Sequence, residues 1–471
     1  MTLLMIILFL IGYMAIAMEH SLKTNKAASA LLLCVLLWTA YIFHAPTILP
    51  GLPEFQRFAE DSSNGHLSFI EKIIAFVTGR QIIEHIGDVA EILFFLMGAM
   101  TIVELIDVHG GFTIITDRIT TKKKKKLLWL LAVITFFMSA ILDNMTTAIV
   151  MVMLLRKLIG NFKERWLFAC IVIIAANSGG AFSPIGDITT IMLWVKGNVT
   201  TAGLIPNLII PSALSILVPL LIVGRVLKGE VTLRRQIPAS SETNHLNVSC
   251  YISKREQKTI FFMGVGSLIF VPVFKAITHL PPFIGVLFGL SLLWIYTEIL
   301  YHKKKHVPEH SKARISVVLG RIDISTILFF LGILMSVAAL QCAGILESFS
   351  LFLSEKVGNL YVINILIGFL SSIVDNVPLV AGAIGMYPLD PLPLSAFGPD
   401  GIFWMFLAYC AGVGGSILII GSAAGVVVMG LEQVNFVWYL KNISGLAISG
   451  YLAGAGFFIV QEEIIRPLLG T

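Results

Sequence analysis

The chain has 471 residues, of which 57% are hydrophobic and only 13% are Asp, Glu, Lys or Arg, and its mean hydropathy is +0.90. In soluble domains about a quarter of all residues are charged, so this composition excludes an ordinary soluble protein. Apolar runs of about 20 residues can cross the hydrocarbon core as helices, whereas an outer-membrane barrel would show alternating segments of about ten residues. The sequence therefore predicts an all-α polytopic membrane protein.

The net charge of +5 does not call for a nucleic-acid partner, because the basic residues cluster in short loops, as the positive-inside rule expects. The five cysteines are scattered without a C-x-x-C pair, so neither a disulfide framework nor a zinc site is predicted. We also find no nucleotide-binding loop and no nucleophile–base set. The sequence therefore predicts neither an enzyme nor a protein with a bound cofactor.

Ten apolar segments are predicted to span the membrane, and two further apolar segments are interrupted near their middle by an Asp-Asn pair. The spans are 3–18, 27–44, 86–108, 166–196, 204–224, 259–277, 283–300, 323–345, 401–430 and 443–463. The interrupted segments are 127–158 and 360–387. The segment 45–85, which contains several prolines, is expected to be a loop on the outer side.

Short sequences from the first half of the chain recur in the second half in the same order. The matches are EILFFL at 91–96 with TILFFL at 326–331, SAILDN at 139–144 with SSIVDN at 371–376, and the glycines at 179, 180 and 186 with those at 414, 415 and 421. They predict a duplication into a first repeat (1–228), a cytoplasmic linker (229–258) and a second repeat (259–471). Each repeat has five spans, one of them broken, plus one hairpin. Because five is odd, the two repeats must be inverted relative to each other.

The distribution of charge agrees with two hairpins that enter from opposite faces. Lysines at 122–126 precede the first interrupted segment, and further basic residues follow it at 156–165, so both of its ends are expected in the cytoplasm. The second interrupted segment lies in a stretch, 357–440, that contains no Lys or Arg, so its ends are expected outside. Both interrupted segments are therefore predicted to be re-entrant hairpins.

Each predicted hairpin carries its Asp-Asn pair, Asp143-Asn144 or Asp375-Asn376, near its tip. A carboxylate at membrane depth is costly unless it is paired or hydrated, and broken backbone there is tolerated only in a protein interior or a wet cavity. The tips would meet near the midplane, where inverted-repeat transporters bind their substrates. The alternative is that these residues only cap the second arm of each hairpin. The duplication favours a function for the two aspartates, and capping stays open for the asparagines.

A second group of polar residues interrupts the predicted span 166–196, between Asn177 and Thr190. Glycines and Pro184 break the helix there, while Asn, Ser, Thr and Asp side chains supply the oxygen ligands that hard cations prefer. A simple packing kink would account for the glycines but not for Asp187. The matching segment of the second half, 412–422, keeps the glycines and has only two polar side chains, both serines. We therefore expect an asymmetric cation site.

Span 86–108 carries four acidic residues, and three of them lie where interfacial water would solvate them. Glu104 lies about one turn further in, which makes it a weaker candidate for a proton path.

At these residues the chain resembles the NhaD-type sodium/proton antiporters of the ion-transporter superfamily, whose relatives include arsenite-efflux ArsB proteins and, more distantly, divalent-anion/sodium symporters. The resemblance covers nearly the whole chain and depends above all on ILDNMTTAIVMVML, ANSGGAFSPIGDITTIMLW, SSIVDNVPLVAGAIGMY and GGSILIIGSAAGVVVMG. It implies efflux of Na⁺, often also Li⁺, in exchange for H⁺. It further implies two inverted repeats, each with a hairpin and a broken helix, and a homodimer as a common assembly.

The resemblance also implies which residues bind Na⁺ and protons. They are Asp143, Asn144, Thr146, Asn177, Asp187, Thr189, Thr190, Asp375, Asn376 and Ser416. The residues themselves, apart from the resemblance, add the weaker candidates Glu104, Ser178, Ser183 and Ser422. The Na⁺ ligands are expected to centre on the carboxylates of Asp143, Asp187 and Asp375, the first and last of these being the strongest candidates. The expected location is the inner membrane of a bacterium, or an organellar envelope if the source is a plant.

The predicted mechanism is competition, because a desolvated carboxylate can hold a proton near neutral pH and must ionise to bind Na⁺. Three alternatives remain. A symporter or exporter of a small oxyacid, such as a dicarboxylate or arsenite, would use helix N-termini to bind an anion. A channel or a membrane scaffold is a further class. The acidic residues predicted near the midplane and the internal repeat argue against it. An enzyme is the class that the sequence supports least.

Overall fold

Every apolar segment that the sequence predicts to span the membrane forms helix in the computed structural model, and two of them, 166–196 and 401–430, are broken into two helices. The structure describes residues 2–17, 24–61, 66–116, 121–231, 252–304, 312, 314–373, 376–392 and 395–469. Among them, eight helices are long and apolar enough to cross a membrane, one of which, Lys124–Leu142, is the first arm of the first predicted hairpin. Shorter apolar helices supply the other three hairpin arms and parts of the broken spans. The chain is therefore a multi-pass, helical membrane protein.

The first repeat contains eleven described helices. They are α1 (Thr2–Ala17), α2 (Lys26–Ile48), α3 (Pro53–Glu60), α4 (Phe69–Phe76), α5 (Ile82–Val108), α6 (Thr113–Thr116), α7 (Lys124–Leu142), α8 (Asn144–Leu158), α9 (Phe162–Ala181), α10 (Ile188–Val195) and α11 (Thr201–Val226).

The remaining described helices belong to the linker and the second repeat. They are α12 (Lys254–Thr278), α13 (Pro282–Lys303), α14 (Ile315–Leu319), α15 (Ile324–Cys342), α16 (Ile345–Lys356), α17 (Leu360–Ile373), α18 (Asn376–Met386), α19 (Ile402–Gly414), α20 (Ala423–Glu432), α21 (Phe436–Asn442), α22 (Ser444–Val460) and α23 (Arg466–Leu469).

The segment 45–85, predicted to be a loop, is largely helical instead. Pro53 lies at the first position of α3, where its missing N–H leaves no helical hydrogen bond unmade. Ser68 caps α4 in a capping box, in which its backbone N–H donates to Glu71 Oε2 at 2.8 Å and its hydroxyl accepts from the Glu71 N–H. From Phe69 the chain continues through one π turn into α5, so that Phe69–Val108 is one helical stretch of 40 residues.

The chain forms two compact units, and each takes segments from both predicted repeats. One unit consists of Met1–Phe94, Asp323–Asn359 and Val377–Leu389, and the other consists of Phe95–Ile322, Leu360–Asn376 and Asp390–Thr471. We call them the first and the second unit. The units describe packing rather than duplication, so the repeat boundaries at 228 and 259 stay a prediction.

In the first unit, α2 packs along α15 and α1 packs along α2. The Trp38 indole donates to the Met335 carbonyl at 2.9 Å, and a Cβ on Gly332 would lie 2.6 Å from the backbone of Ala30. The lack of a side chain at Gly332 therefore lets the two backbones approach closely, as small residues commonly do between membrane helices.

In the second unit, helix α9 is central. It packs against α7, α8, α11, α19 and α20, and its residues from Phe168 to Ala181 are all buried. Helix α19 is buried along almost its whole length. The two helices that precede the predicted breaks therefore form the interior of this unit.

A buried ion cluster joins three helices of the second unit. Glu432, at the end of α20, has a fully buried carboxylate that accepts from Arg156 Nε of α8 at 2.7 Å and from Arg165 Nε of α9 at 2.5 Å. The Trp166 indole donates to the Glu432 carbonyl at 2.9 Å. Removing one partner from a buried ion pair is strongly destabilising, so this cluster fixes α8, α9 and α20 together.

The contacts between hairpin arms and broken helices recur in the two halves. Ser139 Oγ donates to the Ala176 carbonyl at 2.6 Å, and Ser371 Oγ donates to the Ala411 carbonyl at 2.8 Å. The serines differ in number by 232 and the alanines by 235, which are the offsets of the sequence matches. This recurrence supports the predicted duplication, while the opposite orientation of the halves stays a prediction.

Candidate functional site

The carboxylate of Asp187 lies where the predicted span 166–196 breaks. Helix α9 ends at Ala181, and Asp187 is the N-cap of α10 with extended backbone angles (φ −145°, ψ 147°). Asp187 is 1% exposed, and its Oδ1 accepts from the backbone N–H and the hydroxyl of Thr189, both at 2.9 Å. The Thr190 hydroxyl donates to the Asp187 carbonyl at 2.8 Å. The helix N-terminus and the two donors of Thr189 stabilise a negative charge on the Asp187 carboxylate.

Asparagines from both predicted hairpin tips contact the Asp187 carboxylate. Asn144 Nδ2 donates to Asp187 Oδ2 at 2.7 Å, and Asn376 Nδ2 lies 3.4 Å from each carboxylate oxygen. Both asparagines are buried, and all three residues belong to the second unit. A single carboxylate therefore receives side chains from both halves of the chain.

Asn177 links the broken helices of the two halves. Its Oδ1 accepts from Asn144 Nδ2 at 3.1 Å, and its Nδ2 donates to Ser416 Oγ at 2.9 Å and to Ser422 Oγ at 2.8 Å. The Tyr439 hydroxyl donates to the Ser416 carbonyl at 2.6 Å. We use the name Asp187 cluster for Asn144, Asn177, Asp187, Asn376, Ser416 and Ser422.

Asp143 lies beside this cluster but its carboxylate turns back on its own hairpin. Oδ1 accepts from the Thr146 N–H at 2.7 Å and Oδ2 from the Thr146 hydroxyl at 2.8 Å, so Asp143 is the N-cap of α8. The Asp143 and Asp187 carboxylates are close enough to interact electrostatically. Asp375, the third predicted carboxylate, lies outside the described residues.

The backbone of Asp143 is strained. Its φ of 88° and ψ of 158° lie in a region that is essentially restricted to glycine and costs about 1–3 kcal/mol for other residues. Strain of this kind persists only where the surroundings impose it, and here it allows α7 and α8 to meet without a longer loop.

The asymmetry that the sequence predicts is present among the described residues. Ser422 differs from Asp187 in number by 235 and is likewise an N-cap, with nearly the same backbone angles (φ −144°, ψ 153°). Its Oγ accepts from the Gly425 N–H at 3.2 Å. The same place therefore carries a carboxylate in the first half and a hydroxyl in the second.

Three of the four weaker candidates lie apart from the Asp187 cluster, and the fourth, Ser422, belongs to it. Glu104 accepts from Arg321 Nη1 at 3.3 Å, which makes it part of a partly exposed ion pair. The Ser178 hydroxyl accepts from Ser215 Oγ at 2.6 Å, and the Ser183 hydroxyl donates to the Ala140 carbonyl at 2.5 Å. The Ser178 contact joins α9 to α11, and the Ser183 contact joins the break after α9 to α7.

Ser139 and Tyr439 are not among the predicted site residues, yet both bond to the backbone around the site. Ser139 is fully buried and bonds the first hairpin to α9, and Tyr439 holds the backbone at Ser416. The repeat could have identified Ser139, because it matches Ser371 in the aligned hairpins. No pattern in the sequence distinguishes Tyr439, which reaches the site only through the fold.

The chemistry of the Asp187 cluster suits a small hard cation or a proton. Its side chains offer one carboxylate together with amide and hydroxyl oxygens, which are the ligands of hard cations, whereas transition metals favour imidazole and thiolate. Among the described residues, no group of three or more His, Cys, Asp or Glu could hold a metal ion. A buried carboxylate among amide and hydroxyl groups therefore suits a monovalent cation.

Comparisons with known proteins agree with this chemistry. The model of a family described as citrate transporter matches residues 13–407. The chain is 43% identical to "Sodium/proton antiporter 1" of Arabidopsis thaliana over 98% of this chain and 72% of that protein. It is 42% identical to "Sodium/proton antiporter 2" of the same plant, over 96% and 97% of the two chains.

A bacterial relative, "Na(+)/H(+) antiporter NhaD" of Vibrio cholerae, is 30% identical over 93% of this chain and 87% of that protein. The family match and these near full-length identities lead to one conclusion. The chain belongs to the citrate transporter family of membrane transporters, and within that family to the NhaD-type sodium/proton antiporters.

Proposed function

We propose that this protein exchanges Na⁺, and also Li⁺, for H⁺ across the membrane by alternating access. The observation that carries the proposal is the buried Asp187 carboxylate, which is contacted by an asparagine from each hairpin. The names of the relatives, in bacteria and in a plant, point to the same exchange.

Competition at Asp187 would couple the two ions. Na⁺ needs the ionised carboxylate, and protonation removes the charge that attracts Na⁺, so the two ions exclude each other. Asn144 and Asn376 now point their N–H₂ groups at Asp187. A half-turn of each amide would offer its oxygen to Na⁺ instead. The hydroxyls of Ser416 and Ser422 would supply further oxygen ligands.

The second candidate function is transport of a small oxyacid coupled to Na⁺ or H⁺, which the description of the family as citrate transporter favours. A site centred on a buried carboxylate has the wrong charge for a carboxylate substrate unless a cation binds with it. Uptake of radiolabelled citrate into vesicles separates the two functions, and we expect no citrate uptake above that of control vesicles.

We also propose the location and the assembly that the resemblance implies. The protein would lie in the inner membrane of a bacterium, or in an organellar envelope if the source is a plant. It would assemble as a homodimer in the lipid bilayer, with Na⁺, Li⁺ and H⁺ as its partners and without nucleic acid.

The decisive experiment uses Asp187→Asn in everted vesicles from a host without Na⁺/H⁺ antiporters. We expect wild type to dissipate a respiration-generated ΔpH when Na⁺ or Li⁺ is added, and K⁺ to have no effect. Asp187→Asn keeps the size of the side chain but removes the charge. It should lower the rate about 100-fold or more, which corresponds to about 3 kcal/mol.

Asp323→Asn is the matched control. Asp323 is also an aspartate N-cap, accepting from the N–H and the hydroxyl of Thr326, but it is exposed and lies in the first unit. Asparagine is an equally good N-cap, so this variant should transport like wild type. Wild-type rates in Asp187→Asn would contradict the assignment of the site, and a wild type without cation-dependent ΔpH dissipation would contradict the exchange itself.

A further inference from the structure

Thr147 is a buried polar residue that belongs neither to the predicted site residues nor to the Asp187 cluster. It is 0% exposed, and its hydroxyl oxygen has no hydrogen-bond partner within the part of the chain that the structure describes. Other buried helical threonines satisfy the hydroxyl locally, as Thr101 does with the Met97 carbonyl at 2.6 Å and Thr135 with the Leu131 carbonyl at 2.7 Å. Burial of a hydroxyl without a partner costs free energy, so its presence calls for an explanation.

Helix geometry places Thr147 next to the Asp187 cluster. Thr147 follows Asn144 by three residues on α8, and residues at this spacing share a helix face with Cβ atoms about 5–6 Å apart. The Cα–Cβ bond of a helical residue tilts toward the N-terminus, which here is the hairpin tip. Helix α8 packs against α9, which carries Asn177, and against α20, which begins directly after Ser422. The Thr147 hydroxyl is therefore on the side of α8 that faces the cluster.

The neighbouring Thr146 already uses its hydroxyl hydrogen within the first hairpin. Its hydroxyl donates to Asp143 Oδ2 at 2.8 Å and so belongs to the cap of α8. In the second hairpin, the residue that differs from Thr147 in number by 232 is Leu379, which has no oxygen to offer. An additional oxygen from Thr147 therefore fits a site that draws its ligands mainly from the first half of the chain.

We propose that the Thr147 hydroxyl oxygen is a direct ligand of the cation that binds at Asp187. This inference deepens the proposed exchange and depends on it. The hydroxyl oxygen has two lone pairs and would bind Na⁺ without any change of charge, whereas protonation of Asp187 would not need it. Thr147 would therefore affect the affinity for Na⁺ or Li⁺ more than the affinity for protons.

Three variants test the proposal. Thr147→Val removes the hydroxyl at nearly constant volume, Thr147→Ser keeps the hydroxyl, and Thr135→Val removes a buried hydroxyl from the other arm of the same hairpin. The measurements are the Na⁺ concentration that gives half-maximal ΔpH dissipation in everted vesicles and the rise of the melting temperature of purified protein with Na⁺. Choline chloride keeps the ionic strength constant.

We expect Thr147→Val to need about tenfold more Na⁺, which corresponds to about 1.4 kcal/mol, and to lose most of the Na⁺-dependent rise in melting temperature. Thr147→Ser and Thr135→Val should keep the wild-type Na⁺ dependence. A purely structural role would change the melting temperature without Na⁺ but leave the increment caused by Na⁺ intact. If Thr147→Val does not fold, Thr147→Ala removes the same oxygen and must show the same loss.

The outcomes separate this inference from the proposed function. If Thr147→Val and Thr147→Ala respond to Na⁺ as well as wild type does, Thr147 is not a ligand, but the proposed exchange is not contradicted. A wild-type protein that shows no Na⁺ response in either measurement would overturn both. If Thr147→Ser loses as much of the Na⁺ response as Thr147→Val does, a role of the hydroxyl would also be contradicted.

Discussion

Asp187 and Asp143 are both aspartates at helix N-termini, yet their surroundings give them different chemistry. Asp187 is 1% exposed and receives side chains from both hairpins, whereas Asp143 is half-buried and bonds to Thr146 of its own hairpin. From the sequence, Asp143 is a stronger candidate than Asp187, because Asp143 belongs to a repeated Asp-Asn pair. The contacts among the described residues favour Asp187 as the centre of the site, with Asp143 as its charged neighbour.

At the residue scale we predict that Asp143→Asn separates capping from ion exchange. An asparagine oxygen can still accept from the Thr146 N–H, so the melting temperature should change by an amount equivalent to less than about 1 kcal/mol. The variant loses a carboxylate that interacts electrostatically with Asp187, so Na⁺/H⁺ exchange should fall at least tenfold. Thermal unfolding and vesicle assays on the same preparation check both parts. If Asp143→Asn exchanges Na⁺ for H⁺ as fast as wild type, Asp143 serves only as the N-cap of α8.

At the element scale, close backbone contacts set the position of the broken helices. A Cβ on Gly179 of α9 would lie 2.0 Å from the Phe136 carbonyl oxygen of α7, and a Cβ on Gly414 would lie 2.3 Å from the Gly368 carbonyl oxygen. Backbone cannot move aside as a flexible side chain can. Each glycine therefore lets a hairpin arm lie directly on the helix that leads to the break.

We predict that Gly179→Ala destabilises the protein by about 1–3 kcal/mol, because the added methyl group must push α9 away from α7. The displacement would also move Asn177 relative to Asp187, so Na⁺ affinity should fall with stability. Gly266→Ala is the control, since Gly266 is an exposed glycine of α12 and a Cβ added there would meet no neighbouring atom within 4 Å. This control should be neutral or slightly stabilising. Melting temperatures and Na⁺ titrations of purified protein compare the two variants.

At the scale of the whole molecule, the two compact units cut across the two sequence repeats. The second hairpin shows this most clearly, because α17 belongs to the second unit and Val377–Leu389 to the first. The residues of the Asp187 cluster all belong to the second unit, although they come from both repeats. The predicted duplication concerns where the polar residues occur in the sequence, whereas packing determines which of them meet.

The inverted orientation of the repeats can be tested by cysteine labelling. We predict that a membrane-impermeant thiol reagent modifies Leu392→Cys in intact cells but modifies Lys163→Cys only in everted vesicles. Both positions are exposed, and the reagent requires a background in which the five native cysteines are replaced. Residues 357–440 lack basic side chains, so Leu392 is expected on the outer side. Residues 156–165 are rich in basic side chains, so Lys163 is expected on the cytoplasmic side. Labelling of both positions from the same side would contradict the inversion.

Hydropathy and repetition in the sequence by themselves determined the helical membrane fold, the two interrupted segments and the polar residues worth examining. These features depend on local composition, since a bilayer requires apolar helices and penalises a charge wherever it occurs. The tertiary structure alone decided that both asparagines converge on Asp187 and that Asn177 donates to Ser416 and Ser422 of the second half. Such pairings depend on how distant segments pack, which no local pattern encodes.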